Sequence, residues 1–484
     1  MTDNHPQGRE EISVKKTIMH KLSIMKSKRV ALLQTALVIG VCSISMGAVS
    51  AAAQVLSLET AVGAAQANDP WLVENRYSQD AVEARSISEG VMPEPRFSAG
   101  LANFPTDTFD IDQEPMTQIT FGVTQTIPRG DTLRIRREQL RTMGRQYPFQ
   151  RLDRQANTVV TVSRLWLEAY KAQQSIALIE KDRSLFIQLA DIAEAGYSAT
   201  LGRARQQDIV RAQLELTRLD DRLTVLKQKQ EMALEELSEW VSGYFREEYL
   251  GSPSDGRQGR PNLELPRDLP DIPMLNEPLY TGEREADPQV LYGYFIEHPA
   301  VQAIKRKIEA NNLGIDLARE RYKPLWGVSA VYGYRDDPPS GDRADFISFG
   351  VSFDLPILTK NRPEQELQSA VSEAEAVKTQ KWSLIRKMIA GFEKNKTQLR
   401  RLKQRQQLYQ KQLLPQVHEQ SEAYLTAYTN YDGDFAEVVR ARIAELNAQL
   451  DALDIDVEME KTIINLNYYF MKSAEDILVR NQER

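Results

Sequence analysis

Cysteine is nearly absent from this chain: one residue, Cys42, in 484. That excludes a disulfide framework and a cysteine metal cluster. Histidine is scarce as well. His5, His20, His298 and His418 are the only four, too few to favour a histidine metal site. There is no Gly-rich phosphate loop and no H-E-x-x-H. Positive charge is not in excess: the formal net charge is −7, which gives no reason to expect nucleic acid. The Asp and Glu pairs on helical segments read as solvent-facing salt-bridge partners rather than acids and bases. No catalytic constellation emerges, so the expectation is a protein that is not an enzyme and needs no cofactor.

The N-terminus is polar and basic as far as Lys26, Lys28 and Arg29. An apolar stretch, Val30 to Val49, comes next and ends in Ala51-Ala52-Ala53. Basic region, apolar region and small-residue exit make a secretory signal. The alternative is a single membrane anchor, but Gln34, Thr35, Ser43 and Ser45 dilute it. Cleavage is expected near residues 50–54, with translation starting at Met1, Met19 or Met25. The expected result is a cysteine-free mature chain outside the cytoplasm.

Two ten-residue stretches organise the remainder of the chain: ITFGVTQTIP (119–128) and ISFGVSFDLP (347–356). Both alternate with period two. Ile119, Phe121, Val123 and Ile127 share one face, broken by Gln125, and Thr120, Gly122, Thr124 and Thr126 share the other. In the second copy Ile347, Phe349, Val351, Phe353 and Leu355 face one way, and Ser348, Gly350, Ser352 and Asp354 the other. Such a strand sits between two environments. A sheet on a soluble core would produce it, and so would a transmembrane barrel strand with lipid outside and water inside. In the second reading Phe121, Val123, Phe349 and Val351 face lipid, while Thr120, Ser348 and Ser352 face the lumen.

The surroundings are duplicated too. Asp69-Pro70 matches His298-Pro299, Pro95-Arg96-Phe97 matches Pro324-Leu325-Trp326, and Asp208-Ile209-Val210-Arg211-Ala212 matches Glu437-Val438-Val439-Arg440-Ala441, all at an offset of 229. The domain reading is therefore an N-terminal extension and signal (1–53), a first repeat (54–249) with a hairpin at 95–128, a connector (250–290), and a second repeat (291–484) with a hairpin at 324–356. Each repeat reads as helix, hairpin, very long helix, tight turn, long helix. The first very long helix is expected to run from about Gly130 to Gly196 with a kink at Pro148. The second runs from about Pro363 to Thr429 with Pro415 inside. Ile209, Ala212, Leu216, Leu219, Leu223, Leu226, Gln230, Ala233, Leu237 and Trp240 step alternately by three and four, a coiled-coil seam. Val439, Ile443, Leu446, Leu450, Leu453 and Val457 make its counterpart. The connector, with Pro253, Pro261, Pro266, Pro270, Pro273 and Pro278, is expected to be extended and stiff. Four strands cannot close a barrel, so neighbouring copies of the chain are expected to cover the hairpin edges.

These features together resemble the TolC-like outer membrane efflux proteins. The resemblance is carried by the duplicated opening helix, the duplicated FGVxxxxP strand and the helix-turn stretches LGRARQQDIVRAQ and YDGDFAEVVRAR, and it covers almost the whole mature chain. It implies a mainly α fold with a membrane β-barrel: a homotrimer whose 12-stranded barrel, four strands per chain, continues into a long periplasmic α-helical barrel. It also implies an outer membrane location in a Gram-negative bacterium. The implied partners are a periplasmic adaptor and an inner-membrane pump of the resistance-nodulation-division type. The implied role is a passive duct. Polypeptide secretion by the same architecture, or a periplasmic coiled-coil adaptor without a barrel, are the alternatives. The two helix turns then become the periplasmic mouth, with Gly202, Arg203 and Gly433 at the adaptor-docking turns and Asp432, Asp434, Glu437 and Arg440 at the gate. Arg203, Arg205 and Arg440 are candidate latches for those acids. Relatives often carry a lipidated cysteine at the mature N-terminus, which this chain lacks.

Overall fold

The computed structural model describes residues 54–471 other than 199–205, 242–262, 283, 338–340, 359, 361 and 431–432. The signal region and the first part of the connector thus lie outside the described residues. Among the described residues the fold is mainly helical, 71%, with one principal sheet.

The first helix among the described residues is α1 (Leu58–Asn68), capped by the Ser57 hydroxyl, which accepts the Thr60 N–H. It stops at Asp69, which at once caps α2 (Pro70–Ser88) by accepting the Trp71 N–H. Pro70 sits in the first turn of α2, where a missing N–H costs nothing. Strands β1 (Arg96–Ala102) and β2 (Gln118–Ile127) form the first hairpin. Helices α3 (Thr132–Gly144), α4 (Tyr147–Ser198) and α5 (Gln206–Val241) come next. Beyond the connector come α6 (Glu277–Thr281), α7 (Pro288–Phe295) and α8 (Pro299–Glu320). The second hairpin is β3 (Leu325–Tyr334) and β4 (Phe346–Asp354). It leads to α9 (Pro363–Leu408), a π-helical turn at Tyr409–Leu413, α10 (Leu414–Thr429) and α11 (Phe435–Asn467).

The two prolines inside the very long helices act differently. Pro148 does not kink a continuous helix. The chain breaks after Gly144, where the Arg145 and Gln146 N–H groups turn back on the carbonyls of Arg141, Thr142 and Met143. Pro148 then lies in the first turn of α4, where its absent donor is not missed. Around Pro415 the helical path does continue, because the π turn just before it widens the backbone. Helix α4 has 52 residues, a length of about 78 Å at 1.5 Å per residue.

Both seams pack against neighbours, in part fully buried. Ile209, Leu216, Leu219, Leu223 and Leu226 of α5 pack with Ile176, Ile179, Phe186 and Leu189 of α4. Phe435, Val438, Val439 and Leu446 of α11 join the same cluster. A second core gathers Ala61, Val62 and Ala65 of α1, Trp166, Leu167 and Tyr170 of α4, Phe392 and Leu399 of α9, and Val457 and Ile464 of α11. Each fully buried Leu, Ile or Phe contributes about 1.5–3 kcal/mol, so the helices are held by packing rather than by intrinsic propensity.

The connector runs without helix from Pro266 to Asn276, as its prolines require, before α6 and α7 interrupt the expected extended path. It lies as a belt across three helices. Tyr170 and Gln173 of α4 donate to the carbonyls of Arg267 and Leu265. Glu460 and Asn467 of α11 accept the N–H groups of Ile272 and Leu275. Glu393 and Lys396 of α9 bond the backbone at Ala286 and Arg284. Side chains thus replace the ladder partners that a proline-rich segment cannot recruit.

Candidate channel sheet and helix-turn tip

The sheet has the order β1–β2–β3–β4, antiparallel throughout. The two hairpins therefore join within one chain through β2 and β3. The outer edges of β1 and β4 have no partner strand among the described residues.

In an antiparallel ladder, paired residues share a face. Phe97, Val123, Ala330 and Phe349 make one row across all four strands, and Ala99, Phe121, Tyr332 and Ile347 make the next. Gln125, Val328 and Val351 form a third row, and Ile127, Trp326 and Phe353 a fourth. Phe121, Val123, Phe349 and Val351 therefore lie on one apolar face, as the alternation predicts. It is open: Phe97 is 81% exposed, Phe349 78% and Val351 66%. Gln125 breaks the apolar row because its amide turns aside to donate to the Pro93 carbonyl at 2.8 Å.

The other face is mostly small and polar, with apolar exceptions such as Val331 and Phe346. It pairs a glycine with a serine three times: Ser98 with Gly122, Gly327 with Ser352, and Ser329 with Gly350. A Cβ on Gly122 would fall 2.6 Å from the Ser98 Oγ, and one on Gly327 2.5 Å from the Ser352 Oγ. Larger residues at these glycines would collide with their cross-strand partners.

The sheet is fixed to the helices at Pro128-Arg129-Gly130. Arg129 pairs with Asp354 at the end of β4 and donates to the Lys323 carbonyl just before β3. Glu320, at the end of α8, accepts the Asp131 N–H at 2.8 Å. Gly130 adopts φ 42°, and a Cβ there would lie 2.1 Å from Glu320 Oε2. Only glycine fits both demands.

At the far ends of the long helices is the tip. Gly202, Arg203, Arg205 and Asp432 lie outside the described residues. Gly433 is held against the end of α10, and a Cβ on it would meet the Tyr428 backbone nitrogen at 2.7 Å. Asp434 is the cap of α11: its Oδ1 accepts the Ala436 N–H at 3.0 Å. Phe435 is buried and meets Tyr428 edge-on, centroids 5.5 Å apart. Among the described residues Arg440 has no ion pair to another helix. It pairs with Glu437 one turn earlier on α11, at 2.9 Å. So Glu437 and Arg440 are brought together, while Asp434 is engaged with the backbone.

One cluster near the tip escapes sequence reading. His418 of α10, although largely exposed, has its Nδ1 2.7 Å from Glu445 of α11. Arg442 bonds the same Glu445 at 2.9 Å and Glu422 of α10 at 2.6 Å. Burial pushes the Glu445 carboxyl up, but the His418 hydrogen bond and the Arg442 charge outweigh it and leave it below its ordinary value. This ties α10 to α11. No motif marks it, because the partners lie in different helices. Among the described residues no group of three His, Cys, Asp or Glu side chains is placed to hold a metal ion, and no helix is long and apolar enough to cross a membrane.

Paired long helices carrying a four-stranded antiparallel sheet at one end form the fold of TolC-like outer membrane channels. The solved outer-membrane channel OprN matches it with a TM-score of 0.66 over 86% of this chain and 90% of its own, at 15% sequence identity. The outer membrane protein VceC of Vibrio cholerae gives 0.66 over 86% and 96%, at 12% identity. The open state of the Neisseria gonorrhoeae MtrE outer membrane channel gives 0.64 over 85% and 88%, at 13% identity. At such identities the likeness is one of fold. No family model and no curated protein matches the sequence.

Proposed function

We propose that the chain is the outer membrane channel of a tripartite efflux system, a passive trimeric duct. The observation that carries the reading is the sheet: one open apolar face, one face of mostly small and polar residues, and two outer edges with no partner strand among the described residues. Three copies joined edge to edge close a 12-stranded barrel, satisfy every edge and leave the apolar face for lipid. The glycine–serine pairs line its water-filled interior. The long helices of three copies continue the duct into the periplasm and end at the two turns. There Gly433 and the stretch containing Gly202 and Arg203 meet a periplasmic adaptor, and an inner-membrane pump supplies the energy. Asp432, Asp434 and Glu437, tripled by symmetry, draw cations to the mouth, with Arg440 balancing Glu437. The fold likeness to solved outer membrane channels supports this reading over a periplasmic adaptor, which has no use for such a sheet.

The test is extraction. The protein should leave outer membranes only in detergent, as a trimer, and should form conducting pores in planar bilayers. A monodisperse monomer in buffer without detergent would remove the reading.

A further inference from the structure

The belt across the helices is fastened by one unusual group. Glu460 lies on α11, about 38 Å along the helix from the tip turn at 1.5 Å per residue. Its residue is buried, 6% exposed. Its Oε2 accepts the N–H of Ile272 in the belt at 3.2 Å. Among the described residues no lysine or arginine pairs with it. The charged groups acting on it are both acidic: Asp271 of the belt, beside the bonded amide, and Asp456 of α11, one turn away. Asp456 is engaged by Gln406 of the π-turn approach at 2.7 Å, and Tyr170 of α4, near Asp268 and Asp456, donates to the belt at Arg267. A buried carboxylate that faces two others and has no cation is more stable protonated than charged.

We propose that Glu460 is a pH-dependent fastener, which holds the belt on α11 when protonated and loosens it when ionised. Only the fold is needed for this, not the channel reading. In the protonated state the Ile272 bond and the apolar seat of Ile272 persist without a buried charge. On ionisation the carboxylate gains solvation and escapes Asp271 and Asp456 only if the belt lifts away. Desolvation first, helped by these two charges, outweighs the Ile272 hydrogen bond, which favours the charged form, and raises the Glu460 carboxyl to about 7. The docked state therefore binds more protons than the undocked one between an ordinary carboxyl value of about 4.3 and 7. Docking is strongest on the acid side of that window and weakens as pH rises through it. His298 sits at the same end of α11, with its ring against Tyr468. Burial lowers its value, so its charging belongs to a more acid range.

Amide hydrogen exchange on the full chain in detergent, corrected for intrinsic rates and read on Ile272 and Leu275, tests the idea. Protection should fall about tenfold between pH 6 and 8 in the wild type and stay flat in Glu460→Gln, which keeps an acceptor without the charge. A flat wild type, or the same fall in Glu460→Gln, would overturn it. Asp271→Asn is the second variant: removing one repelling charge eases ionisation and should move the midpoint to lower pH. A midpoint that stays or moves higher would equally overturn it. Neither measurement depends on pore formation, so a failed conductance experiment and a failed fastener are told apart.

Discussion

The assignment of sheet faces has a direct test in adjacent residues. Val351 lies near the middle of β4, in a row with Val328 and Gln125, and is 66% exposed on the apolar face. Ser352 points to the opposite face, paired with Gly327. If the apolar face meets lipid, Val351→Arg places a guanidinium in hydrocarbon. That costs about 2–4 kcal/mol at mid-depth of a barrel, or roughly thirtyfold to nearly a thousandfold in the insertion equilibrium at 1.36 kcal/mol per decade. Ser352→Arg places the same group on the side assigned to water and should cost well under about 1 kcal/mol, because it escapes hydrocarbon altogether. Folding into lipid vesicles, with the shift between folded and heat-denatured mobility on gels as the readout, measures both. The expected order is wild type, then Ser352→Arg close behind, then Val351→Arg far below. Equal impairment of the two variants, or a worse Ser352→Arg, would refute the face assignment and the barrel with it.

The tip and the belt give three further expected outcomes. Gly433→Val should disturb the turn, since its Cβ has backbone atoms at 2.7 and 3.0 Å; overpacking of this kind costs about 1–3 kcal/mol, read as faster protease cleavage between α10 and α11 with the sheet unaffected. Glu437→Ala should lower cation selectivity in single-channel recording and Arg440→Ala should raise it, and unchanged selectivity in both would remove the gate from this turn. Asn467→Ala should destabilise the belt end of α11. It strands the Leu275 N–H, the Tyr280 hydroxyl and the Pro273 carbonyl, at about 1–3 kcal/mol for each buried group left unpaired. A thermal melt indistinguishable from wild type would contradict that.

The legible parts of this chain are those governed by short-range periodicity. The strands could be read because alternation at Ile119–Ile127 and Ile347–Asp354 encodes two faces directly. The seams could be read because three-and-four spacing needs no knowledge of the partner. The break before Pro148 and the continuity around Pro415 could not be separated, since both sequences show only a proline in a helical run. What decides between them is whether a preceding turn can close on Arg141–Met143 or widen at Tyr409–Leu413. The joining of the hairpins through β2 and β3 was equally hidden, because pairing partners about 200 residues apart leave no local mark. The belt looked like a linker for the same reason: its hydrogen bonds end on Tyr170, Glu460, Asn467 and Lys396, each ordinary in its own helix. At the proposed gate, residue type does not announce the local backbone role. Asp434, proposed as a pore acid, also caps α11, which its charge alone does not reveal.

The duplicated landmark Asp69-Pro70 and His298-Pro299 shows one backbone demand met by two chemistries, and the difference can be measured. Both side chains cap the next helix by accepting an N–H two residues on, Trp71 for Asp69 and Ala300 for His298. Asp69 does so as an anion. Arg154 donates to it at 2.7 Å, and the Arg154 guanidinium lies over the rings of Trp71 and Trp240. His298 does so as a neutral ring. With Nδ1 accepting from Ala300, its Nε2 carries the proton and donates to the Tyr468 carbonyl at 3.0 Å. The Tyr468 hydroxyl in turn donates to Asp153. A carboxylate at 298 would cap α8 as well as Asp69 caps α2. It would also set a buried negative charge against a carbonyl oxygen and near Asp153, with no Arg154 to offset it. His298→Asn keeps a capping oxygen without the charge and forfeits the Tyr468 bond, a loss of about 1 kcal/mol. His298→Asp should cost at least about 2 kcal/mol more at neutral pH, as expected for an unpaired buried charge, and should recover as acidification neutralises it. Denaturation at pH 7.5 and pH 5 would rank them. If His298→Asp proved as stable as His298→Asn at pH 7.5, the two caps would be interchangeable and the neutral role assigned to His298 would be wrong.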